Sequence, residues 1–479
     1  MNIKKTKIVC TIGPASDSIK TITKMVGAGM DIARISFSHG THQEKAEVIQ
    51  NIKRTEKDTG KRIPILQDLS GPKIRIGNFN DEVVTLEEGN TFTLTTQSIS
   101  GNEKRVSFNT PEMISCIRVG EKIFLADGEI QLLVEKVDDT DILCQVIAGG
   151  ELRSRKGITI PGLQLNVGIP TEKDMIDLKF GVDLGIDWVA QSFIRDTSDV
   201  KSLRLQLKKL GHKKPIIAKL EKQEALSDLD GIIQSADGVM IARGDLGLEV
   251  PLQDIPNLQK EIIQVANSYG KPIITATQML ESMIYNPTRA EVTDIANSIH
   301  DGTSSVMLSA ETAIGRYPVE FVTMMTKVAK STEDCLDYVT NFRSKPLVIK
   351  EDLPDAVGNA ACQIALEIGA SLIICCTDSG KTVWNVSKRR PRALIAVASS
   401  NQETLRKCLL YWGTIDITTK DFQTLEELVT LVKSSVIQLG LANKGDYIVI
   451  IAGDHVFLLS KIPYKRPCCK KSRAGLQPN

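Results

Sequence analysis

The chain has 479 residues, 42% hydrophobic and 24% charged, with 59 basic against 58 acidic side chains and a formal net charge of +1. That length allows roughly two to four domains around large apolar cores, and so balanced a charge argues against nucleic acid or a membrane surface as main partner. The opening "MNIKKTKIVCTIG" lacks a long apolar h-region, no apolar run approaches the ~20 residues that span a bilayer, and ten cysteines show no CxxC spacing, so a cytoplasmic protein with reduced thiols is expected.

Three short apolar, β-branched runs come first: "KIVCTIG" (7–13), "DIARISFS" (31–38) and "RIPILQDL" (62–69). From 71 to 168 the pattern changes. "EVVTLEEGNTFTLTT", "RVSFNT" and "EKIFLADGEIQLLVEKVDDTDILCQVIAGG" alternate apolar and polar residues, as antiparallel strands with one solvated face do. Five further apolar runs follow: "DWVAQSF" (187–193), "KPIIAKLE" (214–221), "GVMIARGD" (238–245), "KPIITATQM" (271–279) and "SSVMLSAE" (304–311). Continuous apolar strands alternating with amphipathic stretches indicate a parallel sheet covered on both faces, and eight such units imply a closed (β/α)8 TIM barrel. The expected α/β architecture is a barrel over 1–70 plus 169–343, a small β-barrel lid inserted at 71–168, and an open α/β domain over 344–479, built on "SLIICCT", "ALIAVAS" and "DYIVIIAG".

Strand after strand ends in polar residues: Arg34, Ser36 and Ser38; Asp68; Lys219 and Glu221; Arg243 and Asp245; Thr275 and Thr277; Ser309 and Glu311. In this barrel type those ends converge on one face, where the site is expected. Glu221 and Asp245 end consecutive strands, so they are candidate ligands for a hard divalent cation, Mg2+ or Mn2+; five histidines in the whole chain favour oxygen ligands. Lys219 beside a metal can stabilise a phosphoryl group or an enolate, with a buried ion pair as its alternative reading. "LGLEVP" after Asp245 predicts one helical turn whose Gly244 and Asp245 N–H groups face an anion. Arg34 and Arg75, read as neighbours, suit phosphate, and Thr277 offers a proton-relaying hydroxyl. No Ser-His-Asp or Cys-His arrangement is evident. "TDSGKT" (377–382) is either a phosphate cradle or a plain turn. Together these features point to phosphoryl transfer.

"TIGPAS", "SFSHG", "SGPKIRIG", "ARGDLGLEVP", "ATQMLESM", "PTRAEVTDIANSIHDG" and "LSAETAIGRYP" resemble pyruvate kinase, in order from about Lys5 to about Gly453. The resemblance implies transfer of a phosphoryl group from phosphoenolpyruvate to ADP, giving ATP and pyruvate. It implies Glu221 and Asp245 as the Mg2+ ligands and Lys219 as the stabiliser of the phosphoryl group in flight. It places Arg34, Lys219, Gly244, Asp245, Thr277 and Ser309 at the substrate, with Thr277 on the face where the enolate is protonated. Ser36, Phe37, Ser38, His39 and Arg75 fall on the nucleotide. A homotetramer and a sugar-phosphate effector on Thr377, Ser379, Gly380, Lys381 and Thr382 are also implied. The alternatives are a catalytically silent metabolite sensor and a barrel lyase or aldolase of enolpyruvate chemistry.

Some positions depart from the family pattern. Ser36, Leu69-Ser70 and Lys73 stand where many members have Asn, Thr-Lys and Glu. The usual K+ site around Ser36, Ser38 and Asp68 thus loses two of its four ligands and gains a tethered ammonium, so Lys73 is expected to replace K+. Asp196 replaces a basic residue near the nucleotide phosphates. "VFLLSKIPYKRPCCKKSRAGLQPN" replaces the glycine-rich final hairpin, leaving the last strand in question and predicting a disordered basic tail.

Overall fold

The first three apolar runs fold as largely buried strands, β1 (Lys7–Thr11), β2 (Ile32–Ser36) and β3 (Ile65–Leu69). The helix His42–Thr59 between the last two is opened by a capping box, Thr41 with Glu44, and closed by left-handed Gly60. Local chemistry therefore bounds the connection between β2 and β3. The computed structural model describes residues 3–163, 167–284, 289–344, 353–420, 424–443, 445–453 and 455–459.

The inserted segment holds β4 (Val83–Leu86), β5 (Thr91–Thr95), β6 (Arg105–Ser107), β7 (Lys122–Leu125), β8 (Ile130–Val137), β9 (Asp141–Ala148), β10 (Gly150–Arg153) and β11 (Ile158–Thr159). The expected small β-barrel takes the form of two sheets, β10-β4 and β11-β7-β8-β9-β5-β6. They share one core that includes Ile76, Phe92, Leu132 and Val146. Alternating burial along β8 and β9 leaves the other face to solvent, as the sequence pattern requires.

The chain then returns for β12 (Trp188–Gln191), β13 (Ile216–Leu220), β14 (Gly238–Ala242), β15 (Ile273–Ala276) and β16 (Ser305–Leu308). With the first three these close a parallel barrel in the order β1-β16-β15-β14-β13-β12-β3-β2. Its interior is filled by Val9, Ile32, Leu66, Trp188, Ala190, Ile217, Met240, Ile274 and Met307, one or two from each strand. Side chains alternate faces along a strand, so a residue two places further on points inward one layer higher. Two steps beyond Val9, Ile32, Leu66, Ala190, Ile217 and Met307 stand Thr11, Arg34, Asp68, Ser192, Lys219 and Ser309. The apolar layer is thus a floor, and the polar residues lie at the mouth above it.

The last domain carries β17 (Leu372–Cys376), β18 (Leu394–Ser399), β19 (Thr414–Thr418), β20 (Ile448–Ala452) and β21 (His455–Leu459), in the order β19-β18-β17-β20-β21. The last strand, in question from the sequence, is present. β21 runs antiparallel to β20 after Gly453 turns with φ +60°, because "HVFLL" still supplies β-branched and aromatic residues for the edge. The tail from 460 onward lies outside the described residues. Leu410 of this domain joins the barrel's interior cluster, and Arg406 pairs with Glu56 at 2.6 Å and Asp187 at 3.4 Å, so the domain covers the barrel end opposite the mouth. Among the described residues no helix is long and apolar enough to cross a membrane.

Candidate active site

Four charged side chains from three strands interlock at the mouth. The Lys219 ammonium lies 2.8 Å from Glu221 Oε1 and 3.3 Å from Asp68 Oδ1, and donates to Ser192 Oγ at 2.7 Å. Arg34 donates from Nε to Asp68 Oδ2 at 2.6 Å and from Nη1 to Thr11 Oγ1 at 2.7 Å. The second Glu221 oxygen accepts the Phe193 N–H at 2.8 Å. Burial opposes the charges on Asp68, Lys219 and Glu221, so the outcome depends on partners. For Asp68, Lys219 and Arg34 outweigh burial and hold its carboxyl below the usual range. For Lys219, burial is outweighed by Asp68 and Glu221, which keep the ammonium more firmly protonated than an exposed lysine. For Glu221 burial wins, and the nearby Asp245 adds to it, so the carboxyl is pushed up despite Lys219.

Asp245 sits in the first turn of the short helix Arg243–Glu249, which ends before Pro251 as the sequence predicts. Here one expectation is corrected. The Gly244 N–H, read as free for an anion, donates to Thr277 Oγ1 at 2.8 Å, and that hydroxyl donates to the Ala276 carbonyl at 2.6 Å. The contact arises because Thr277 and Gln278 take φ of +66° and +54°, which turns the chain back over the helix start. Left-handed backbone at a β-branched residue costs about 1–3 kcal/mol and persists only where neighbours hold it. Arg243 is that neighbour: its Nη2 donates to the Thr277 and Gln278 carbonyls at 2.7 and 3.0 Å, while Nη1 pairs with Asp294.

The donor set fits a divalent cation of the Mg2+ type. Glu221 and Asp245 are hard oxygen donors close enough that Asp245 raises the cost of ionising Glu221, and among the described residues no cluster of three or more His, Cys, Asp and Glu suits a metal. Two carboxylates completed by water and substrate oxygens are what Mg2+ commonly uses, whereas an all-protein cage is not.

The lid contributes from above. Lys73 Nζ lies 3.5 Å from Asp245 Oδ1 and 3.8 Å from Asp127 Oδ1. It has no ion pair with Asp68, whose two oxygens are already held by Arg34 and Lys219. Arg75 is corrected too: it lies beyond β3 in the inserted segment, bridged to Gly157, with Nη1 donating to the Arg155 carbonyl at 3.0 Å. His39 is held below the usual imidazole value by burial and by Arg75, Lys73, Lys45 and Lys156 around it, so this rim is strongly cationic. Ser36 Oγ accepts the Ser38 N–H at 3.4 Å, Phe37 is buried, and its carbonyl accepts from Lys173 at 2.8 Å. The Ser309 N–H donates to Glu311 at 2.6 Å. In the last domain Thr377 Oγ1 accepts the Gly380 N–H at 3.0 Å and Ser379 Oγ the Lys381 N–H at 3.4 Å, while left-handed Gly380 precedes the helix Lys381–Ser387, where Thr382 stands.

Sequence reasoning missed Thr11, Ser192, Asp127 and Asp294. Thr11 and Ser192 carried a usable signal, being the two-residue steps up from Val9 and Ala190; the other two depend on folding of distant segments. Asp196 caps the helix Thr197–Lys209, accepting the Ser198 and Asp199 N–H groups at 2.7 and 3.3 Å.

Comparison with known proteins shows the family. The family description "Pyruvate kinase, barrel domain" matches residues 3–322 and "Pyruvate kinase, alpha/beta domain" residues 355–458. A pyruvate kinase of Geobacillus stearothermophilus is 41% identical over 456 residues, covering 94% of this chain and 78% of the relative. One from Staphylococcus aureus (strain MRSA252) is 38% identical over 94% of this chain and 78% of the relative. The crystal structure of a pyruvate kinase from Cryptosporidium parvum superposes with a TM-score of 0.89 at 32% identity, covering 96% of both chains. The chain belongs to the pyruvate kinase family and is a phosphotransferase rather than a silent relative.

Proposed function

We propose that the barrel mouth transfers the phosphoryl group of phosphoenolpyruvate to ADP with Lys219 beneath the group in flight. One observation carries this reading: a buried ammonium on the inward face of β13, kept protonated by Asp68 and Glu221. A fixed cation in a water-poor site stabilises charge spread over phosphoryl oxygens far more than one in solvent. Arg34 has Nε and Nη1 fixed by Asp68 and Thr11, which leaves Nη2 for a substrate phosphoryl oxygen. The Asp245 N–H and the Ser309 side stand for the substrate carboxylate, and the Thr277 hydroxyl, turning from the Ala276 carbonyl that it now donates to, relays a proton from water to the enolate. Glu221 and Asp245 would hold Mg2+ or Mn2+, which when bound supplies charge neutralisation and orientation of phosphoryl oxygens. The rim of Arg75, Lys45 and Lys156 around His39, with Ser36, Phe37 and Ser38 beside it, receives the nucleotide phosphates.

K+ is not required in this reading, because Lys73 brings a tethered positive charge to the mouth; without metal it rests at Asp245 rather than at Asp68. The 377–382 loop takes a sugar phosphate, supported by its Gly380 turn, and the chain works as a cytoplasmic homotetramer, as its family resemblance implies. Sedimentation with and without a sugar bisphosphate checks both points. Pyruvate formation from phosphoenolpyruvate and ADP with Mg2+ tests the main reading; release of pyruvate without ATP would replace transfer by hydrolysis.

A further inference from the structure

We infer that Lys73 is a latch between the lid and the barrel that competes with the divalent cation for Asp245, so that metal binding loosens the lid. The inference rests on Asp245 being a metal ligand. Lys73 follows the Gly71-Pro72 break, its N–H donating to the Gly71 carbonyl at 2.9 Å. Its stem passes over the backbone of Gly157, where an added Cβ would come 2.9 Å from Lys73 Cε. The ammonium ends 3.5 Å from Asp245 on the barrel and 3.8 Å from Asp127 on the lid.

Asp127 occupies the turn between β7 and β8 with φ +57°, a conformation Asp tolerates, and its neighbour Gly128 (φ +95°) lies against the barrel residue Leu248, which a Cβ there would meet at 2.7 Å. The turn therefore carries one carboxylate toward another, and the ammonium between them offsets their repulsion. A second lid contact, the Gly162 N–H on Glu249 at 3.1 Å, lies away from Asp245 and does not involve Lys73.

A divalent cation on Asp245 and the ammonium neutralise the same carboxylate, so binding of one weakens the other by the same factor. Pairs this exposed are worth up to about five-fold in an equilibrium constant.

The test uses the full-length chain without substrates. Mn2+ binding is titrated for wild type, Lys73→Gln and Asp245→Asn, and hydrogen exchange of residues 126–129 is followed with and without saturating Mg2+. The latch requires Lys73→Gln to bind Mn2+ about three- to five-fold more tightly. It also requires Mg2+ to speed exchange of 126–129 in wild type and to leave it unchanged in Lys73→Gln, where it is already fast. Unchanged Mn2+ affinity in Lys73→Gln, or wild-type exchange indifferent to Mg2+, overturns the latch while weakened binding in Asp245→Asn keeps the metal assignment. Wild-type affinity in Asp245→Asn overturns the metal assignment and the latch with it.

Discussion

Lys219 and Asp68 meet 3.3 Å apart across the barrel mouth, from strands separated only by β12. With Arg34 and Glu221 they form a charge-balanced set of two cations and two carboxylates, buried on the polar layer above the barrel's apolar floor. Breaking such a set by removing one member leaves an uncompensated buried charge, which is costlier than the pair is stabilising. The same set is poised for a ligand: a phosphoryl group brings negative charge to a place where two cations are already oriented.

Asp68→Asn should lower stability at neutral pH by about 3–5 kcal/mol, the usual cost of orphaning a buried ionic partner. The sign with pH follows from linkage. The folded-state value of Asp68 lies below its ordinary 3.8, so its contribution is fully present above that value and is lost as pH falls through the folded value. Urea midpoints of wild type and variant should therefore converge below about pH 4. A gap that stays constant from pH 6 to pH 3 would show that Asp68 acts through packing alone.

Thr277 holds the Gly244 N–H through its hydroxyl while its own backbone is left-handed. Thr277→Ala should reduce kcat about 100-fold, the low end for loss of a proton-transferring group, whereas Thr277→Ser should stay within about ten-fold. Equal losses in the two variants would assign the residue to shaping the turn, not to the proton.

Replacing K+ by tetramethylammonium in a steady-state assay should change wild-type turnover less than about two-fold, since the chain carries its own monovalent cation in Lys73. Lys73→Glu should lower turnover about ten-fold or more, with partial recovery on adding K+. Strong activation of the wild type by K+ would contradict this assignment.

Much of this was legible in the residues. All eight apolar runs became barrel strands because continuous burial on both faces leaves a strand few alternatives, and the polar ends of those runs became the mouth. Arg34, Asp68 and Lys219 fall together because each stands two residues beyond an inward apolar side chain, a rule that also reaches the overlooked Thr11 and Ser192. What the sequence did not disclose depends on distant segments arriving at one place. Asp127 reaches the mouth only once β7 and β8 pair, and Lys73 meets Asp245 only across the lid–barrel gap. The Gly244 amide looked free because a helix start leaves its N–H groups open; its partner comes from Thr277, held in an unusual backbone conformation by Arg243.

Lys219→Met, assayed for pyruvate formation from phosphoenolpyruvate and ADP and separately for Mn2+ binding, tests the central claim most directly. Loss of a preorganised charge at the transition state should lower turnover roughly 1,000-fold, while Mn2+ still binds through Glu221 and Asp245. Turnover within a few-fold of wild type, with Mn2+ bound, would contradict the account.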